Sequence, residues 1–357
     1  MTEEEKTQNQ QGTTGLRVLL MGAAVVVIIA GLKAASSILL PVLMAAFLAV
    51  LSVPPITWLR RRGLPAWASV LIVFSGVLVV IFVLTALIGT SLTDFSRNLP
   101  TYQVRIQERT ASLLEWVQKQ GVDVSTAAIK ENLDSGRVMK WTSDALKAVS
   151  SIFSNMFFVL LTVVFILAEA AGLPAKIRAA LGQPEADLGR YARILEDIQT
   201  YLGIKTKVSA ITGALAAALL AVVGVDYVVM WGLLAFLLNF VPTLGSILAA
   251  LPPVLLALIQ YGWEHAVAVG VGYLVINVAM GSVLEPRLMG RRLGLSTLVV
   301  FLSLVFWGWV WGPVGMVLCV PLTMVLKIML ENTQDLQWIA VLLGSGAETR
   351  ERTSKME

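Results

Sequence analysis

Asn239, Thr243 and Ser246 are the side chains in this sequence best suited to holding a small polar molecule away from water. They fall within NFVPTLGSILAALPP, residues 239–253, beside Pro242 and Gly245. An amide donates and accepts hydrogen bonds, and so does a hydroxyl, so the set suits an uncharged polyol or a carbonyl compound. Asn239 has a second reading, as a cap that satisfies the backbone of a broken helix. The surroundings make the group unusual. No charged side chain occurs from Tyr227 to Trp263. A straight helix over that run would be on the order of 55 Å long, against an apolar bilayer core of about 30 Å. Broken backbone at that depth needs protein or a watery cavity around it.

A partner lies downstream. Residues 293–326 are also charge-free and also interrupted, at WGPVG, which holds Gly312, Pro313 and Gly315. The first run reads Pro242-x-x-Gly245 with Pro252 beyond it, and the second reads Pro313-x-Gly315 with Pro321 beyond it. Two ordinary crossings need about 20 residues each, which is more than either run supplies. Each is expected to be a hairpin of two half-length helices whose broken tip lies near mid-membrane. Half-helix ends there would offer unpaired N–H groups to a polar or anionic ligand. The competing reading is one kinked helix or two crossings in each run.

Three further residues are candidates for coupling or gating. Asn277 is a second amide inside an apolar run, 266–284, able to bridge helices or face the same cavity. Glu285, followed by Pro286, closes that run, with Arg287, Arg291 and Arg292 near in sequence. An intramembrane carboxylate is a functional suspect, and an interfacial ion pair with those arginines is the plainer reading. Glu169 carries the same two readings. His265 is the only histidine and is a candidate pH sensor or a plain surface residue. Gly270, Gly272, Gly308 and Gly312 read as close helix packing.

These residues need a membrane to sit in. The 357-residue chain is 57% hydrophobic and 14% charged, a composition of a polytopic membrane protein. Charge-free runs at 18–32, 34–59, 63–93, 148–168 and 208–225 supply the other spans. Arg60, Arg61 and Arg62 form one basic cluster, Lys176 to Lys207 a second, and Arg287 to Arg292 a third. Placing all three in the cytoplasm puts both termini there too. The expected fold is all-α, with about 5–6 full spans, two inverted re-entrant hairpins at 227–263 and 293–330, and an extracytoplasmic helical segment.

The expected divisions are a mobile N-terminus (1–15), three spans (16–90), the outer segment (91–147), a fourth span (148–171) and a cytoplasmic amphipathic helix (172–207). A transport unit (208–332) and a cytoplasmic tail (333–357) follow. In the outer segment Phe95, Leu99, Tyr102, Ile106, Leu113 and Val117 make a helical stripe. It reads as a helix packed on its own neighbours, or as an oligomer contact or lid. Gly121 ends it, and shorter helices are expected after Ser125 and after Gly136.

Several chemistries lack their residues. There is no phosphate-binding G-x-x-x-x-G-K-[ST] loop and no H-E-x-x-H zinc helix. Cys319 is the only cysteine, so no internal disulfide forms. The chain is not expected to be an enzyme, to carry a cofactor or metal, or to bind nucleic acid. Its basic balance reads as loop topology.

The stretch NFVPTLGSILAALPP, followed by NVAMGSVLEPRLMGRRLGLSTLVVFLSLVFWGWVWGPVGMVLCVPLTMVLKIMLE, resembles the bacterial autoinducer-2 exporter family, with its PerM-like permeases. Residues 227–332 carry the likeness, in Pro242-x-x-Gly245, Glu285-Pro286, Gly290, Gly294-Leu295 and Gly312-Pro313-x-Gly315; the N-terminal half matches in layout only. The resemblance implies an inner-membrane exporter of autoinducer-2, a small furanone-type polyol, and the two interrupted, oppositely inserted runs suggest a secondary transporter that exposes its tips alternately. It implies a homo-oligomer with a pentamer as the expected form, surrounded by the lipid bilayer. Sodium (lithium)/proton antiport is the alternative within the family, with tip carbonyls holding Na⁺. A gated channel or structural membrane protein is the alternative outside it.

Overall fold

A computed structural model describes residues 3–119, 156–170, 188–289, 295–331, 333 and 337–344. Every regular element among them is helical. In chain order they are α1 (Glu3–Ala34), α2 (Ser36–Arg61), α3 (Ala66–Lys119), α4 (Met156–Ala170), α5 (Leu188–Val223), α6 (Val228–Leu238), α7 (Leu244–Tyr261) and α8 (Trp263–Asn277). A π-helix (Val278–Leu284) continues α8 into α9 (Glu285–Met289), and α10 (Thr297–Glu331) and α11 (Gln337–Leu343) complete the set. Six helical stretches are long and apolar enough to cross a membrane: Ser36–Arg61, Ala66–Phe95, Leu195–Val223, Leu244–Tyr261, Trp263–Met289 and Thr297–Glu331. Their outward faces carry exposed Leu, Val, Ile and Phe, as lipid contact requires. Trp58 stacks under Arg62, 3.9 Å from its ring centroid, beside the basic turn after α2.

Small residues let the helices approach. Ala45 and Ala49 of α2 pack against Val159 and Val163 of α4. Gly213 of α5 and Gly232 of α6 face each other so closely that a Cβ on either would stand within 3 Å of the other's carbonyl oxygen. Gly272 of α8 makes room for the Leu219 side chain of α5. These are the close backbone crossings expected where lipid gives no hydrophobic drive to association.

Both long interrupted runs double back. At the root of the first, Tyr261 donates from its hydroxyl to the Gly224 carbonyl (2.7 Å), and the Asp226 N–H donates to Gln260 Oε1 (3.3 Å). Its two ends are therefore neighbours, with α6 and α7 as arms and residues 239–243 as the turn. In the second, Trp307 Nε1 donates to Thr323 Oγ1 at 3.2 Å. Sixteen residues of straight helix would hold those groups about 24 Å apart. The reversal is at Gly312, whose φ of 65° and ψ of −147° lie outside the helical region. That combination is open essentially to glycine alone.

Some expected boundaries move. Helix α1 begins at Glu3, so residues 3–15, expected to be mobile, are helical. Glu, Gln and Lys dominate there, all good helix formers, and the acidic residues complement the helix N-terminus. Helix α5 runs unbroken through the expected boundary at 207/208, because nothing there breaks a helix. The segment expected as a tail holds α11, which docks back, with the Ser296 N–H donating to the Leu343 carbonyl (3.2 Å). The readings of Gly121, Ser125, Gly136, Gly290 and Gly294 fall outside the described residues.

Candidate functional site

One face of α5 organises the polar interior. Lys205 and Ser209 are one turn apart on it and point the same way. Lys205 Nζ bonds both carboxylate oxygens of Glu285, at 2.7 and 2.9 Å, with side chains only 5% and 17% exposed. Tyr201 lies near Glu285 and Cys319 near Lys205, and both belong to one buried apolar cluster with Met289 and with Val241 from the first turn. One turn further along α5, Asn239 Nδ2 donates to Ser209 Oγ at 2.9 Å, with both side chains buried. The tip of the first hairpin is thus tied to α5 beside a desolvated ion pair. Phe240 also meets Phe47 of α2 edge-on at 6.1 Å.

The turn itself is strained. Thr243 has φ 57° and ψ −53°, rare for a β-branched residue, and the Leu244 N–H closes on the Pro242 carbonyl at 2.6 Å. This is a γ-turn of the uncommon positive-φ kind, costing of order 1–3 kcal/mol. Thr243 is exposed and its hydroxyl donates to the Pro242 carbonyl (2.7 Å). Ser246, half-buried, donates to the Thr243 carbonyl (3.1 Å). Gly245 is buried directly under the Leu238 carbonyl. Neither Asn239 nor Thr243 caps α7 through its side chain. The amide bonds across to α5 instead, which corrects the capping reading of Asn239.

At the second tip, Gly315 is buried against the Trp307 carbonyl, Gly312 is half-buried and Pro313 is exposed. Trp311 Nε1 donates to the Leu32 carbonyl (3.0 Å), and Lys33 Nζ lies 4.4 Å from the Trp309 ring centroid. This tip therefore rests on the end of α1. Gly308 packs on Met316, whereas Gly312 has open space beside it and serves the turn, not packing.

Asn277 is half-buried where α8 gives way to the π-helix. Glu285 follows that π-helix and pairs with Lys205; of the arginines expected from sequence, Arg287 is exposed, and Arg291 and Arg292 lie outside the described residues. Lys205 and Ser209 were not among the expected site residues. The basic cluster from Lys176 to Lys207 includes Lys205, and a charge count does not separate a loop lysine from one turned inward on a long helix. The signal was present: Ile198, Leu202, Lys205 and Ser209 keep three- and four-residue spacing, so the lysine shares the apolar face.

Beyond the apolar part of α3, Tyr102 clamps the root of the first hairpin. Its hydroxyl donates to Asp226 Oδ2 (2.8 Å), Gln260 Nε2 also bonds that carboxylate, and Asn98 Nδ2 donates to the Tyr227 hydroxyl (2.8 Å). Phe95 and Tyr102 are buried with α5, α6 and α7. The outer stripe therefore folds on its own neighbours at these two positions. Burial, then the bonds to Tyr227 and Asp226, raise the Tyr102 pKa above its ordinary value, so it keeps its proton. Tyr102→Phe should destabilise the detergent-solubilised protein by about 1.5–3 kcal/mol, the worth of a hydrogen bond to a charged group. The raised folded-state pKa means this contribution is intact below about pH 10 and is lost as pH climbs through the folded value. Thermal unfolding of both proteins at pH 7 and pH 10.5 checks it: equal melting temperatures at pH 7 would show the clamp to be inert.

Comparison with known proteins matches this geometry to a family. The AI-2E family transporter model matches residues 23–335. The chain is 41% identical over 329 residues to the AI-2 transport protein TqsA of Escherichia coli (strain K12), covering 92% of this chain and 96% of that protein. It is 38% identical over 340 residues to the putative transport protein YhhT of the same strain, covering 94% and 97%. It is 26% identical over 313 residues to the putative transport protein YrrI of Bacillus subtilis (strain 168), covering 82% and 86%. With its apolar helices and broken, polar-tipped runs, the chain belongs to the AI-2E transporter family: it is a multi-pass membrane transporter and not an enzyme.

Proposed function

We propose that the protein is a bacterial inner-membrane secondary carrier that exports autoinducer-2. The observation that carries this is the Asn239–Ser209 pair, an amide and a hydroxyl buried at a broken tip inside an otherwise charge-free run. Likeness to a relative named as an AI-2 transport protein supports the choice of cargo. Neutral donors and acceptors suit an uncharged polyol, and Lys205, the buried cation on the same face of α5, is already neutralised by Glu285.

In this reading the doubled-back runs are re-entrant hairpins that enter from opposite membrane faces. The basic clusters set both termini in the cytoplasm. Helix α6, of 11 residues, spans about 17 Å, enough to carry the turn to mid-membrane but not across. Residues 16–170 form a scaffold, within a pentamer, and 200–332 a moving unit. Asn239, Pro242, Thr243, Gly245 and Ser246 on one tip and Gly312, Pro313 and Gly315 on the other line the substrate path. Asn277, Glu285 and Arg287 stand at the coupling region.

Sodium (lithium)/proton antiport has one observation in its favour, the buried Lys205–Glu285 pair, since a desolvated carboxylate can exchange a cation for a proton. Flux of labelled autoinducer-2 in proteoliposomes, with and without a pH gradient, separates the two. The carrier should give saturable flux, and Asn239→Ala should raise the half-saturation concentration about tenfold, the effect of one lost hydrogen bond of about 1.4 kcal/mol. Absence of autoinducer-2 flux, with Na⁺-dependent proton movement instead, would replace this proposal with the antiport reading. Flux that never saturates would point to a channel.

A further inference from the structure

Hydroxyls on these membrane helices follow a common habit. Ser52, Thr85, Thr93, Thr162, Thr206 and Thr323 each donate to the carbonyl four residues back. That bond keeps a hydroxyl satisfied without help from a second helix. Thr212 departs from it. Its side chain belongs to a residue 7% exposed, and its Oγ1 is buried with no hydrogen-bond partner. A buried, unmatched hydroxyl is costly, and such groups call for an explanation.

The place of Thr212 is informative. On α5 it lies seven residues from Lys205 and seven from Leu219, a spacing that keeps all three on one face. Lys205 meets Glu285, and Leu219 meets Gly272, so both flanking residues touch the α8–α9 segment. The two segments run antiparallel between those contacts, and interpolating between them sets Thr212 level with Val278–Ala279, the start of the π-helix. A seven-residue π-helix is rare, and such stretches recur at functional sites. Ser209 is one turn away on the same face. Its oxygen accepts from Asn239, which leaves its own proton for another acceptor.

We propose that Thr212, with Ser209 and Asn239, forms a subsite between α5 and the π-helix for a hydroxyl or carbonyl of a small uncharged polar solute. This rests on the transporter reading and moves part of the binding site from the tips to α5. Thr212 donates or accepts, Ser209 donates, and the Asn239 carbonyl oxygen accepts, so a polyhydroxyl compound is matched and a bare ion is not.

The test uses the full-length protein in proteoliposomes with Cys319→Ala, which removes the only native thiol. Thr212→Cys and Ala216→Cys, one turn apart, are treated with a small water-soluble methanethiosulfonate reagent. Thr212→Cys should react about tenfold faster, because reaction requires a thiol that water can reach. Autoinducer-2 at ten times its half-saturation concentration should slow that reaction about tenfold by occupying the subsite. Thr212→Val should melt at or above the wild-type temperature yet bind more weakly, and Thr212→Ser should bind normally. A Thr212→Cys thiol that reacts only after detergent denaturation overturns the subsite whatever the cargo. So does reaction without protection in a protein that transports autoinducer-2. If the wild type moves no autoinducer-2, the export proposal falls alone, and protection by glycerol or ribitol then upholds the subsite, while protection by neither overturns it.

Discussion

Gly245→Ala is expected to abolish transport and to cost the protein most of its folded yield. A Cβ at that position would stand 1.8 Å from the Leu238 carbonyl oxygen and 2.7 Å from its carbon. Both are backbone atoms of the arm that the turn must close upon, so no side-chain rotation relieves the overlap. The only escape is to move α6 away from α7, and α6 is already fixed by its glycine contact with α5. Gly315→Ala meets the Trp307 carbonyl at 2.1 Å and should behave alike. Two other glycines calibrate the result. Gly312→Ala meets nothing within 4 Å but inherits a φ of 65°, so it should lose only the strain energy, of order 1–3 kcal/mol. Gly308→Ala meets only the flexible Met316 side chain and should be mildest. Thermal unfolding of the four purified variants, followed by flux, gives the order. A wild-type melting temperature for Gly245→Ala would mean that the arms do not close as described, and the site built on that turn would go with it.

That ordering also marks what the sequence could and could not disclose. Pro242-x-x-Gly245 and Gly312-Pro313-x-Gly315 announce breaks inside runs too long for one span, because glycine and proline act through the local backbone. The reversals at both sites follow from that local chemistry. What each glycine does is a tertiary matter: Gly245 and Gly315 admit a carbonyl, whereas Gly312 admits a conformation. Arg60–Arg62 sit at a helix end, as a basic cluster in sequence suggests, whereas the inward turn of Lys205 to Glu285 depends on the long α5 and is invisible to a charge count. Asn239 was legible as a polar group in an apolar run. Its partner Ser209, 30 residues earlier, was not, since pairing across helices depends on which faces meet. The π-helix before Glu285 has no local sequence signature of the kind proline gives.

Breaking the Lys205–Glu285 pair from one side should be more damaging than removing it whole. Each ion has given up most of its water, and what stabilises it is the other ion at 2.7 Å. Lys205→Met strands the carboxylate, and Glu285→Gln strands the ammonium. Either should destabilise the protein by about 3–5 kcal/mol, the range for an uncompensated buried charge. The double variant replaces both ions by neutral groups of similar length, near Tyr201 and Cys319, and should recover most of that loss. Melting temperatures of the wild type, the two single variants and the double variant therefore close a thermodynamic cycle, and the coupling should be large and favourable. Flux separates structure from mechanism. In the antiport reading the double variant folds but no longer responds to an ion gradient, because the exchangeable carboxylate is gone. In the exporter reading it retains saturable autoinducer-2 flux down a gradient, since Ser209 and Asn239 are untouched one turn away. Additive effects of the two single substitutions would show that the ions do not stabilise each other, and Glu285 would then return to the ordinary interfacial role.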